Sequence, residues 1–153
     1  MKIEKPLPRN KYKTHLKDLN GGCAFCKKPS DLVIKEYKNW VWVFSAFPYK
    51  KYHTLLFSKR HIIKFSELDV KELGELKKIL GEIEYYYREK KIICKNSKFG
   101  DQIFFSWRSR YNDKIKKSVS HFHLHIYPQF AQRINEIIDK DSWDINTSIF
   151  KNI

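Results

Sequence analysis

Residues 118–126 read Ser-Val-Ser-His-Phe-His-Leu-His-Ile, and no other stretch restricts the fold so strongly. Successive side chains of a strand point to opposite faces, so His121, His123 and His125 share one face while Phe122, Leu124 and Ile126 share the other. Such a strand is half-buried, with a core on its apolar side and a row of imidazoles on the other. Each imidazole has two distinct nitrogens and titrates near neutral pH, which suits metal binding, nucleophilic catalysis or phosphate recognition. The plain alternative is a His-rich edge strand facing water, and strict alternation with bulky apolar residues argues against it.

Two runs rich in β-branched and aromatic residues, 32–37 and 40–47, flank Lys38-Asn39 in the pattern of a hairpin. Residues 52–58 form a third strand with His53, Leu55 and Phe57 on one face. The period then changes. Leu73, Leu76, Ile79, Leu80, Ile83, Tyr86 and Tyr87 recur at helical spacing behind a capping box of Asp69 and Glu72, which predicts one helix of about twenty residues. Gly74 and Gly81 share a face of that helix and are expected to allow close packing. Residues 103–107 read as a fourth strand, and 107–117 as a polar loop carrying Arg108, Arg110, Lys114, Lys116 and Lys117. Pro128 ends the histidine strand, after which Phe130, Ile134, Ile137 and Ile138 predict a short amphipathic helix.

The expected fold is therefore α+β, a five-stranded antiparallel sheet with one long helix packed on it, plus a short C-terminal helix. A basic arm over 1–20, a single domain over 21–140 and a tail over 141–153 fit a chain of 153 residues. With 31 Lys+Arg against 17 Asp+Glu the formal charge is +14, which attracts phosphate-bearing partners or forms a solvated basic surface. No apolar run reaches bilayer-crossing length, and no secretion signal is visible, so a membrane partner is not expected. Three cysteines make no disulfide framework and fit a reducing compartment, cytoplasmic or nuclear. Cys23-Ala-Phe-Cys26 reads as a redox pair or as half of a zinc site. Lys27-Lys28-Pro29 begins no convincing helix, so zinc fits better provided two more ligands exist elsewhere. His15 and Cys94 join no motif.

The run His121-Phe-His123-Leu-His125-Ile-Tyr127 resembles the alternating signature of the histidine triad (HIT) superfamily of nucleotide hydrolases and transferases. Upstream, Pro48-Tyr-Lys-Lys-Tyr-His53-Thr-Leu-Leu-Phe-Ser-Lys59-Arg60-His61-Ile resembles the same family's proline, first histidine, apolar strand and basic residue followed by a second histidine. The resemblance spans roughly residues 23 to 128 and implies the fold derived above. It implies that His123 attacks the α-phosphate of a nucleotide, that His125 and His53 contact the phosphate oxygens, and that Ser118 donates its hydroxyl to the phosphate or leaving group. It implies structural zinc held by Cys23, Cys26, His61 and His121. Ser45 stands where many members bind the ribose, and with Pro48, Lys117, Arg108 and Arg110 it completes the candidate substrate contacts. Trp107 and Tyr111 either stack on a base or, as aromatic residues at a strand end more often do, join the core. Members that transfer the nucleotide often carry Gln at the third triad position, so His125 favours hydrolysis of a phosphoanhydride or phosphoramidate bond, with release of a nucleoside monophosphate. The expected partner is a nucleotide or dinucleoside polyphosphate. The alternatives are a nucleotidylyltransferase, a hydrolase of adenylated or capped nucleic-acid ends, and a non-catalytic basic nucleotide- or RNA-binding protein. Members often form homodimers, and this sequence leaves that open.

Overall fold

The computed structural model describes residues 22–27, 32–48, 52–90, 103–109 and 120–128. Its five strands are β1 (Val33–Glu36), β2 (Trp40–Phe44), β3 (Thr54–Ser58), β4 (Ile103–Trp107) and β5 (His123–Pro128). They form one sheet in the order β1-β2-β3-β5-β4, every neighbouring pair antiparallel. One long helix, α1 (Val70–Glu89), follows a single 3-10 turn at Phe65–Glu67. The expected α+β fold of five antiparallel strands and one long helix is what the chain adopts. The expected N-terminal arm, C-terminal helix and tail lie outside the described residues, as do His15 and Cys94.

Local chemistry explains these elements. Lys38 and Asn39 turn the β1–β2 hairpin, closed by the Tyr37 N–H donating to the Trp40 carbonyl at 2.9 Å. Glu75 on α1 accepts from the Lys38 N–H at 2.9 Å and from the Asn39 N–H at 3.1 Å, so the helix also fixes the turn. The capping box is formed as expected: the Glu72 N–H donates to Asp69 Oδ1 at 2.7 Å, and the Asp69 N–H donates to Glu72 Oε2 at 2.9 Å. Leu76, Ile79, Ile83 and Tyr87 then turn one stripe of α1 onto the sheet.

Alternation divides the central strands between two cores. Trp40, Trp42 and Phe44 of β2, Leu56 of β3, and Leu124 and Ile126 of β5 pack with Phe122 beneath α1. Val41, Val43, Leu55 and Phe57 face the other way and are covered by Phe25. Burial on both faces leaves β2 and β3 without an exposed residue.

Three expectations are corrected. β2 ends at Phe44 rather than residue 47, because the chain bends out of the ladder at Ala46 and Phe47. Gly74 and Gly81 do share a face, but among the described residues a Cβ at either would meet nothing within 4 Å, so they bring none of these close. Trp107 leaves the core at the end of β4 and stacks, about half exposed, on Phe65, with ring centroids 5.3 Å apart.

Candidate functional site

The histidine strand enters the sheet at His123. His121 precedes it in a bend, placed by the Phe122 N–H donating to the Ile62 carbonyl at 2.7 Å. That bond ties the start of β5 to the segment after β3, which carries His61. Arg60 anchors the same segment to α1: its Nε and Nη2 grip the two oxygens of Glu72 at 3.0 and 2.7 Å, and Nη2 also donates to the Glu67 carbonyl at 2.6 Å. Against this frame the turn at residues 23–27, closed by the Lys27 N–H on the Cys23 carbonyl at 3.2 Å, presents both of its thiols.

Four possible ligand atoms, one each from Cys23, Cys26, His61 and His121, lie within 4.8 Å of one another. Cys23 Sγ is 3.4 Å and Cys26 Sγ 3.5 Å from His121 Nδ1, and Cys26 Sγ is 3.2 Å from His61 Nδ1. A tetrahedron with metal–sulfur bonds of about 2.3 Å and metal–nitrogen bonds of about 2.05 Å has sulfur–nitrogen edges of about 3.5 Å, close to these separations. The tautomer also fits. His121 Nε2 lies 2.5 Å from the Ser58 carbonyl, which can only accept, so Nε2 carries the hydrogen and Nδ1 turns its lone pair to the cluster. Burial pushes the His121 pKa down to about 4, which keeps the ring neutral as a ligand must be. Loss of water from its sulfur, followed by the adjoining Cys23 thiol, pushes Cys26 up to about 11, a crowding that a divalent cation would reverse. Cys26 and His61 face solvent, giving a way in, while His121 is buried.

The second constellation begins one residue pair along. His123 Nδ1 donates to the His121 carbonyl at 2.7 Å, so the neutral ring holds its lone pair on Nε2. His53, immediately before β3, places Nε2 2.9 Å from Nδ1 of His125. The ring centroids of His123 and His125 are 4.8 Å apart, and Tyr127 meets His53 edge-on at 5.5 Å. Pairing of Leu55 with His125 and Phe57 with His123 across the β3–β5 ladder puts these imidazoles on the face covered by Phe25. Phe25 stacks on Phe57 at 4.5 Å and reaches His123 at 5.0 Å.

A family model described as the HIT domain matches residues 27–132. The chain belongs to the HIT family. The match begins just after Cys26, so the two cysteines precede the family's own span. Solved structures of similar fold include a zinc-bound histidine triad family protein from Mycobacterium smegmatis, 19% identical with a TM-score of 0.57, covering 85% of this chain and 94% of that one. A hypothetical histidine triad nucleotide-binding protein from Sulfolobus tokodaii is 17% identical with a TM-score of 0.57, covering 84% and 89%. A GALT-like protein from Arabidopsis thaliana is 16% identical with a TM-score of 0.64, covering 90% of this chain and 48% of that one. No curated protein matches the sequence.

The structure brings His53, His123 and His125 together, and separately Cys23, Cys26, His61 and His121. Ser45 is buried, its N–H donating to the His53 carbonyl at 3.3 Å, and Pro48 is half-buried nearby in sequence. Arg108 is exposed just beyond β4. Ser118, Lys117, Arg110 and Tyr111 lie outside the described residues. Sequence reasoning missed Phe25 as the cover of the site face; the one large apolar residue between two candidate ligands was the available signal. No helix among the described residues is long and apolar enough to cross a membrane.

Proposed function

We propose that this HIT protein is a zinc-stabilised nucleotide hydrolase that cleaves a phosphoanhydride or phosphoramidate bond at the α-phosphate. The observation that carries the reading is the His123 tautomer: a backbone carbonyl takes its Nδ1–H and leaves the Nε2 lone pair for attack on phosphorus. In the first step the Nε2–P bond forms and the bond from phosphorus to the leaving oxygen or nitrogen breaks, its electron pair going with the leaving group. Ser118 is proposed to supply the leaving group's proton. Water then attacks the nucleotidyl-His123 phosphorus, forming a P–O bond as the P–N bond returns its pair to Nε2. A nucleoside monophosphate is released, and the proton lost by water replaces the one Ser118 gave up.

His53 and His125 supply a hydrogen-bond donor to the phosphoryl group. With both rings neutral, one donates to the other across their 2.9 Å contact, so one outer ring nitrogen of the pair still carries a hydrogen for a phosphoryl oxygen. Ser45, Pro48, Arg108, Arg110 and Lys117 are proposed to meet the rest of the nucleotide. Cys23, Cys26, His61 and His121 would hold the zinc, which would supply a structural cross-link between the N-terminal turn and the triad segment. The charge of +14 and the basic residues of the 107–117 loop favour, as a second reading, a substrate whose adenylated or capped end belongs to a nucleic acid.

Intact mass spectrometry after brief exposure to mixed nucleoside polyphosphates, quenched in neutral denaturant, tests the reading. A nucleotidyl adduct in wild type that is absent in His123→Ala supports it. Product formation at an unchanged rate in His123→Ala refutes the nucleophile.

A further inference from the structure

His53 sits on the site face, yet the residues on either side of it are held from the opposite face by one side chain. Tyr87, on the last full turn of α1, is wholly buried. Its hydroxyl donates to the Tyr52 carbonyl at 2.7 Å and lies 3.1 Å from Thr54 Oγ1. The direction of each bond follows from chemistry. The indole of Trp42 can only donate, and it gives its N–H to Thr54 Oγ1 at 2.9 Å. The Tyr52 carbonyl can only accept, so Tyr87 spends its own proton there and receives the one from Thr54. The relay runs Trp42 to Thr54 to Tyr87 to Tyr52. Burial raises the Tyr87 pKa, keeping the phenol protonated as the last link requires.

Tyr52 adopts φ 63°, a left-handed conformation that non-glycine residues rarely take and that persists only where the surroundings impose it. The bond from Tyr87 to its carbonyl is one such constraint. The residue after Tyr52 is His53, 2% exposed, whose Nε2 meets His125 Nδ1. We infer that Tyr87 is a positioning residue for His53, clamping the backbone at both Tyr52 and Thr54 so that His53 stays in register with His125. The inference rests on the hydrolase reading for its kinetic consequence, though not for its structural one.

The experiment is a double-mutant cycle of Tyr87→Phe and Tyr52→Gly. Activity is read with whichever nucleoside 5′-phosphoramidate wild type turns over, and the histidine ring nitrogens are read by 15N NMR, both per mole of protein shown folded by circular dichroism. Tyr87→Phe keeps the ring and removes only the hydroxyl. Two hydrogen bonds go with it, and with the one to the Tyr52 carbonyl expressed in positioning kcat is expected to fall by about tenfold, with KM changed less than about twofold. Glycine takes φ 63° without strain, so in the Tyr52→Gly background the Tyr87→Phe effect is expected to shrink to about threefold or less. The His53 and His125 nitrogen shifts move in Tyr87→Phe, while those of His61 stay in place. Unchanged kcat and unchanged His53 shifts in folded Tyr87→Phe overturn the inference, as does an effect equal in both backgrounds. If Tyr87→Phe does not fold, the shifts of the double variant against Tyr52→Gly decide in the same way. If wild type turns over none of the phosphoramidates, the hydrolase reading fails, and the nitrogen shifts alone still decide whether Tyr87 holds His53.

Discussion

Phe25 lies between two candidate metal ligands and at the same time covers the sheet face that carries His123, so metal binding and docking of the 23–27 turn should be one event. The size of the coupling can be worked out. Phe25 is only 7% exposed. A phenylalanine side chain presents about 200 Å² of apolar surface, which at about 25 cal/mol per Å² corresponds to about 5 kcal/mol for complete transfer from water. The methyl left by alanine, and the partial burial of an undocked loop, reduce this to about 3 kcal/mol for Phe25→Ala. Because Cys23 and Cys26 bracket the residue, that loss should appear reciprocally in metal affinity, as a weakening of about 150-fold. Zinc competition against a chromophoric chelator measures it, with Phe25→Leu, which keeps most of the volume, expected to lose less than about tenfold. Denaturant unfolding gives the other arm: if docking of the 23–27 turn is coupled to metal binding, Phe25→Ala destabilises the zinc-loaded chain much more than the metal-free chain. Zinc affinity of Phe25→Ala within threefold of wild type would falsify the coupling.

Cys23→Ser should reduce bound zinc well below one equivalent by atomic absorption and lower the melting temperature; full retention of zinc refutes the four-residue ligand set. Gly74→Ala and Gly81→Ala meet no neighbour among the described residues and lie within the helix, so each should stabilise by about 0.5–1 kcal/mol in chemical denaturation, and a destabilising result would show that these positions pack against something. Glu72 is held below the usual carboxylate range, first by its hydrogen bond from Arg60, so the folded chain binds that proton more weakly than the unfolded chain does. Its contribution is therefore complete above the unfolded value near 4.5 and is lost as pH falls through the lower folded value. Glu72→Gln should flatten that acid limb of the stability profile, and an identical limb in the variant rules out this assignment.

What could be read in the sequence was local. The Asp69–Glu72 box, the Lys38-Asn39 turn and the two-residue alternation from His123 to Ile126 each depend on neighbours a few positions away and formed as expected, whereas His121 and Phe122 precede the strand. The glycine pair shows the limit of spacing without a reference direction. At about 100° per residue, Gly74 and Gly81 fall about 180° from the stripe of Leu76, Ile79 and Ile83, which the same periodicity would have revealed. The Arg60–Glu72 fork and the Tyr87–Tyr52 bond join residues 12 and 35 positions apart. No local pattern in the sequence encodes either, because only the packing of α1 on the sheet creates them.

The period of the strand links these scales. The three site histidines have immediate neighbours buried on the α1 side of the sheet: His53 is followed by Thr54, His123 is flanked by Phe122 and Leu124, and His125 by Leu124 and Ile126. A side chain locked in the helix-side core therefore fixes the Cα of a candidate catalytic histidine without touching it. The same geometry makes the helix-side core expensive to alter. A large-to-small change at Leu124 or Ile126 opens a cavity under α1 and also lets the β5 backbone settle toward it, carrying both flanking imidazoles. Leu124→Ala should accordingly lose more turnover than its fractional unfolding accounts for, whereas Ile79→Ala, in the same core but on the helix, should lose stability alone. Equal turnover per folded molecule in the two variants would separate the core from the site and remove the basis of this argument.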